Sequence, residues 1–157
     1  MNAGLLIIGL IVLLGVALAI LYNLLVRRRQ MAKNGWADID VQLKSRADLI
    51  PQLVAAVQGY ANHERQLFED VIEKRNAALA AGDDPAARGE AESALSRPVR
   101  RMIAVAEDYP DLKASGNFLD LQNELSDTED KIEMARRFYN GAVRELNTAV
   151  ESAPINF

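Results

Sequence analysis

The sequence predicts an all-α protein in which an N-terminal transmembrane helix is followed by an antiparallel bundle of long helices. Residues 1–26 contain no charged side chain, and a helix needs about 20 apolar residues to cross a bilayer core about 30 Å thick. From residue 36 onward, apolar side chains recur at alternating steps of three and four, as in amphipathic helices. The predicted divisions are a transmembrane anchor over 1–26, a basic juxtamembrane segment over 27–35 and a helical bundle over 36–157.

The N-terminal segment is predicted to be an uncleaved anchor. The alternative, a secretory signal peptide, has a basic start and an apolar core of only about 7–15 residues, whereas residues 1–3 hold no basic side chain and the apolar run is longer. Within the span, Gly15 and Ala19 are spaced as a small-xxx-small pair, which is a weak motif for close helix contact. We take this pair as a candidate contact between subunits.

A basic cluster follows the span directly and sets the predicted topology. It consists of Arg27, Arg28, Arg29 and Lys33. Because cytoplasmic flanks are enriched in Lys and Arg, the cluster places the bundle in the cytoplasm and the short N-terminus outside. The same charges favour anionic lipid headgroups, although a stop-transfer signal alone would account for them.

Composition limits the chemistry that we expect. The net charge is −4, from 18 basic and 22 acidic residues, and every acidic residue lies beyond Lys33, so the bundle is acidic and a nucleic-acid partner is not expected. There is no cysteine, and His63 is the single histidine. No nucleophile elbow, phosphate-binding loop or dinucleotide fingerprint is present, so we expect no enzymatic activity, no metal and no cofactor.

The first bundle helix is predicted to run from Trp36 to Ala80. Because its apolar seam keeps its phase across Pro51, we favour one helix with a local kink there, and the alternative is a new helix capped by Asp48.

Three seam positions of this helix are charged: Arg46, Glu64 and Lys74. Buried charges are costly unless they are paired. Partners therefore come from other helices or other subunits, or else the seam turns to solvent at these points. On this basis Arg46 and Glu64 are candidate oligomer contacts.

Two further helices complete the predicted bundle. Asp84 can cap a helix that begins at Pro85 and is interrupted at Pro98, and Asn117 can cap the last helix. The last seam consists of Phe118, Leu121, Leu125, Thr128, Ile132, Ala135, Tyr139, Ala142, Leu146 and Ala149. In an antiparallel bundle of three helices, the last runs parallel to the first, and its C-terminal end points away from the membrane.

Several blocks of this sequence closely resemble the LemA family. They are WADIDVQLK at 36–44, RADLIP at 46–51, GYA at 59–61, HE at 63–64, YPDLKA at 109–114, NF at 117–118, LQ at 121–122 and ARRFYN at 135–140. The resemblance implies a bacterial single-pass membrane protein built as a long helical bundle, with no established enzymatic activity. A related magnetosome protein implies a role in membrane shaping for at least one branch of the family.

The chain departs from the family pattern at Ser45, where a second basic residue is usual, at Pro98, and at Ala153-Pro154 near its C-terminus. It ends at Phe157 without the usual tail, so a truncated sequence is one interpretation. The resemblance favours a non-enzymatic scaffold that associates with itself or organises other membrane proteins at the bacterial inner membrane. The alternative function is an adaptor or regulator of a membrane enzyme such as a protease.

Overall fold

The computed structural model describes residues 3–152, which form five α-helices and no strand. The helices are α1 (Ala3–Gln58), α2 (Arg65–Ala80), α3 (Pro85–Glu107), the short α4 (Pro110–Lys113) and α5 (Gly116–Glu151). The predicted all-α class is confirmed. The family departures at Ala153-Pro154 and Phe157 lie outside the described residues.

The chain divides into two compact units. The helix-pair unit joins the described part of α1 up to Ile39 with α5 from Glu133 onward. The four-helix unit comprises Asp40–Ile132 and is named for its four long segments, which are the end of α1, all of α2 and α3, and the start of α5; it also contains the short α4.

The four-helix unit holds the main hydrophobic core. The most deeply buried core side chains come from every helix except α5: Ile50, Leu53, Val57, Val71, Leu95, Met102 and Leu112. Phe118, Leu121 and Leu125 add the contribution of α5. Burying a side chain of this size contributes about 1.5–3 kcal/mol, so the apolar core is the main source of stability.

The first correction concerns the helix predicted from Trp36 to Ala80, which ends at Gln58 and resumes at Arg65. The helix is continuous through Pro51, so that part of the prediction is confirmed. In α2, the Arg75 Nε–H donates to the carbonyl oxygen of Ala47 at 2.6 Å, so α2 folds back along α1. Two features explain the error. A glycine, Gly59, lowers helix propensity by about 1 kcal/mol at the break, and the apolar spacing keeps its phase across the turn by coincidence.

The start of α3 follows the prediction, whereas its middle does not. Asp84 caps α3 by accepting a hydrogen bond from the Ala87 N–H at 2.9 Å, and Pro85 is the first helical residue. Gly82 has a φ of 70°, a left-handed conformation that glycine adopts without strain. The predicted interruption at Pro98 is wrong, because α3 continues through this buried proline.

The direction of α5 is a second correction. In the helix-pair unit, Trp36 packs against Tyr139 with ring centroids 5.6 Å apart, and Arg28 pairs with Glu145. Positions that rise along α5 therefore meet positions that fall along α1, and the two helices are antiparallel. The prediction that they run parallel is wrong, because the unpredicted turn before α2 adds one reversal of the chain.

The seam predicted for α5 is confirmed. All ten of its positions are buried or partly buried, including Thr128, whose hydroxyl donates to the Glu124 carbonyl oxygen at 2.8 Å. The predicted cap is wrong, since α5 begins at Gly116 and Asn117 already lies inside it.

Candidate functional site

A network of charged side chains lies inside the four-helix unit, centred on Arg46. The Arg46 side chain is 5% exposed and that of Glu92 only 2%, and their charged groups form an ion pair. Arg46 Nη1 also donates to Glu129 Oε1 at 2.7 Å. The network therefore links α1, α3 and α5, and it answers the question raised by the sequence, since the partners of Arg46 come from the same chain.

Arg88 extends the network toward the start of the unit. Its side chain is 4% exposed, its Nε lies 3.1 Å from Glu92 Oε1, and its Nη2 lies 3.3 Å from Asp40 Oδ1. Each carboxylate oxygen of Glu92 therefore accepts a contact from one arginine, Oε2 from Arg46 and Oε1 from Arg88. Such charge-assisted contacts are stronger than neutral hydrogen bonds, and they help to offset the cost of removing these charges from water.

The network was only partly visible in the sequence. The sequence pattern indicates Arg46, whereas it does not indicate Arg88 and Glu92, because a search for apolar stripes passes over charged positions. The stripe that is buried has helical spacing throughout: Arg88, Glu92, Leu95, Val99, Met102 and Ala106. Charged residues at seam positions of a second helix were the signal that would have found the partners of Arg46.

A groove borders this network between α3 and α5. It has a volume of about 750 Å³, and its lining includes Arg46, Ser96, Arg100 and Glu129. Ser96 has a second role, since its hydroxyl donates to the Glu92 carbonyl oxygen at 2.9 Å. No group of three or more His, Cys, Asp or Glu side chains able to hold a metal ion occurs among residues 3–152. The charged groups of the network contact one another.

The other charged seam residues are less buried. Glu64 is partly exposed and immediately precedes α2, without a capping hydrogen bond from its side chain. Lys74 is also partly exposed and lies 3.1 Å from Glu73 Oε1 and 3.9 Å from Asp70 Oδ1. The hydrogen bond to Glu73 raises the pKa of the Lys74 ammonium. At Glu64 and Lys74 the seam therefore turns toward solvent, which is one of the alternatives that the sequence left open.

The apolar part of α1 is open to its surroundings. In the part of the chain that the structure describes, α1 is the one helix long and apolar enough to cross a membrane, and none of its most apolar 18-residue window is buried. Gly15 lies in this stretch, and no described atom beyond its own helix turns comes within 4 Å of a Cβ built on it; Ala19 is exposed. This pair is free for a contact with another helix.

The basic cluster follows this stretch within α1. Arg27, Arg29 and Lys33 are exposed, whereas Arg28 is partly buried and pairs with Glu145 of α5. Three of the four charges therefore point to the surroundings, immediately beyond the apolar segment.

The helix-pair unit also contains a close helix contact. A Cβ built on Gly35 would lie 3.1 Å from the Tyr139 Cα and 3.1 Å from Phe138 Cδ1. Only a residue without a side chain lets the two helices approach this closely. Gly35, Trp36, Phe138 and Tyr139 thus form the packing contact that holds α5 beside α1.

Comparisons with known proteins identify relatives of this chain. The model of the LemA family matches residues 35–157. The magnetosome protein MamQ of Magnetospirillum gryphiswaldense is 21% identical over 161 residues, which cover 87% of this chain and 59% of that protein. Protein LemA of Metamycoplasma hominis is 26% identical over 128 residues, which cover 82% of this chain and 58% of that protein. The chain spans about three fifths of the length of these curated relatives. Since the family model matches most of its length, including the bundle helices, the chain belongs to the LemA family.

Proposed function

We propose that this protein is a non-enzymatic scaffold, anchored in the bacterial inner membrane, that associates with copies of itself or organises other membrane proteins there. The observation that carries the proposal is the composition of α1. Its first part is an apolar stretch that none of residues 3–152 buries, and the same helix supplies Leu43, Ile50 and Leu53 to the packed side of the bundle. A helix of this kind couples a lipid-embedded segment to a folded domain.

Membrane association is the part of this function that the family and its relatives support. One curated relative is named as a magnetosome protein, and a role in organising or shaping a membrane is consistent with that name. The basic cluster adjoining the apolar stretch supports a cytoplasmic bundle, because Lys and Arg are retained on the cytoplasmic side.

Self-association is supported by apolar side chains that stay exposed beyond the anchor. In the helix-pair unit, Met134 is 56% exposed, Phe138 is 50% exposed and Met31 is 36% exposed. Anchoring every copy in one plane raises the local concentration, so weak lateral contacts between such side chains suffice for assembly. Gly15 and Ala19 offer a second contact within the lipid. Arg46 no longer supports the proposal, since its partners lie within the chain.

Disulfide cross-linking in membranes tests self-association cleanly, because the natural chain has no cysteine. Single cysteines at Met31 and Met134 are expected to give dimer bands on oxidation. A cysteine at Asp83, which is exposed in the connector between α2 and α3, is the matched control. Dimer yields at Met31 and Met134 no higher than at Asp83 would contradict the proposal.

A second function, adaptor or regulator of a membrane enzyme such as a protease, is favoured by one surface. Asp120, Glu124 and Asp127 are exposed on α5 at helical spacing, which forms an acidic row on the four-helix unit. Extraction in mild detergent followed by size analysis distinguishes the two functions. The scaffold is expected to run as a large particle of one polypeptide, whereas an adaptor would run small or co-elute with another protein.

A further inference from the structure

A second groove lies in the helix-pair unit, beside the end of the apolar stretch. Its volume is about 470 Å³, within the range of about 300–1,000 Å³ that is usual for small-ligand sites. Its apolar wall is formed by Tyr22, Leu25 and Val26 of α1 and by Leu146 and Val150 of α5. The groove therefore continues the lipid-facing surface of α1 into a space between two helices.

The polar residues of this groove include one cation with no ion-pair partner among residues 3–152. Arg29 lines the groove, and its neighbour Arg28 is the one that pairs with α5, through Glu145. Asn147 adds an amide that can donate hydrogen bonds. Glu151 is the acidic group of the lining. The groove thus combines an apolar wall with a guanidinium that no carboxylate of residues 3–152 pairs with, and it lies at the end of the apolar stretch.

We propose that this groove binds one anionic phospholipid, with part of an acyl chain against the apolar wall and the phosphate at Arg29. Two observations favour a lipid over a protein segment. The apolar wall is continuous with the membrane-spanning surface, where lipid is the surrounding solvent. The guanidinium is a bidentate donor that matches the geometry of a phosphate group. This inference rests on the membrane anchoring in the proposed function.

The antiparallel α5 forms one side of the proposed lipid site. Because the last turns of α5 lie beside residues 22–29, Leu146 and Val150 complete a cavity that α1 alone could not form. The bound lipid fills the gap between the helices and stabilises α5 against α1, as any ligand that binds only the folded state does.

Native mass spectrometry of the full chain in mild detergent tests the assignment. The protein is titrated with phosphatidylglycerol or with phosphatidylcholine of the same acyl chains. We expect one phosphatidylglycerol per chain, retained at least about fivefold more strongly than phosphatidylcholine, since one basic residue near an anionic lipid contributes ~1 kcal/mol. Equal retention of the two lipids would overturn the anionic assignment.

Four variants separate binding in the groove from the general positive charge of the basic cluster. Arg29→Gln is expected to weaken phosphatidylglycerol binding about fivefold, and Glu151→Gln to strengthen it. Arg27→Gln removes the same charge from an exposed side chain outside the groove, and we expect a change below about twofold there. Val150→Phe occludes the apolar wall and should weaken binding of both lipids. Val150 is 48% exposed, so this variant is expected to fold, and circular dichroism checks that it does.

Equal losses in Arg29→Gln and Arg27→Gln, or unchanged binding in Val150→Phe, would overturn the groove as a lipid site. These results are independent of self-association, since a chain that fails the disulfide test can still retain a lipid in detergent. Release of the chain from membranes by alkaline carbonate would instead overturn the anchoring on which both proposals rest.

Discussion

Neutralising Glu92 should be among the most destabilising single changes in this protein. Its carboxylate is 2% exposed and contacts two arginine side chains that are themselves 5% and 4% exposed. Glu92→Gln keeps the size of the side chain but leaves Arg46 and Arg88 with only partly hydrated partners, Glu129 and Asp40. Removing one member of a buried ion pair costs about 3–5 kcal/mol, because the remaining charge stays buried without compensation.

The measurement is urea unfolding of the full chain in mild detergent, monitored by the circular dichroism signal of the helices. The shift in midpoint multiplied by the slope gives the change in free energy of unfolding. Glu129→Gln is the matched control, since it removes one carboxylate from Arg46, but its side chain is 47% exposed. A pair of this kind contributes no more than about 1 kcal/mol.

A triple variant tests whether the loss of stability in Glu92→Gln comes from buried charges that are left unpaired. Replacing Arg46 and Arg88 by Met together with Glu92 by Leu removes all three buried charges and is expected to restore stability or exceed it by about 1–4 kcal/mol. If Glu92→Gln lay within about 1 kcal/mol of Glu129→Gln, the burial argument would be refuted.

Three further predictions concern helix packing and topology. Gly35→Val should lower the free energy of unfolding by about 1–3 kcal/mol through overpacking against α5. Gly141→Ala, in the same unit, should raise it by up to about 1 kcal/mol, because no described side chain lies within 4 Å of a Cβ built there. Both changes are measured by urea unfolding, and equal effects of the two variants would contradict the close contact at Gly35. Ile132→Ala should lower the free energy of unfolding by about 2–5 kcal/mol, because the side chain is 2% exposed. His63→Ala should lower it far less, because His63 is exposed. A larger loss for His63→Ala than for Ile132→Ala would refute the seam assignment. A fluorescent-protein fusion at Phe157 should be bright and an alkaline-phosphatase fusion inactive, and the opposite pair of results would invert the topology.

The parts of the fold that sequence could predict are those determined by neighbouring residues. Asp84 and Pro85 specify a helix start through one hydrogen bond and one fixed dihedral angle, so the beginning of α3 was predictable. The seam of α5 was predictable for a related reason, since a single uninterrupted helix repeats its buried positions at constant spacing.

The parts that sequence could not predict depend on packing between distant segments. The turn between Gln58 and Arg65 exists because α2 gains burial against α1, and a periodic pattern does not register that gain. Because the sequence pattern does not show this reversal of the chain, it predicts that α5 runs parallel to α1 instead of antiparallel. The Arg46 partners were missed for a similar reason, because Glu92 becomes suitable for burial only when Arg46 and Arg88 lie next to it.

The antiparallel return of α5 also determines the order in which the chain can fold during synthesis. Arg28 and Glu145, like Trp36 and Tyr139, are more than a hundred positions apart in the sequence. At about 5–20 residues per second, the ribosome needs roughly 5–20 s to add a hundred residues, and α1 has no α5 partner during that interval. In the proposed anchored state, the apolar first part of α1 supplies the costly helix nucleus, so the following turns of α1 form by propagation alone. α1 is then a preformed template on which α5 docks once α5 has been synthesised.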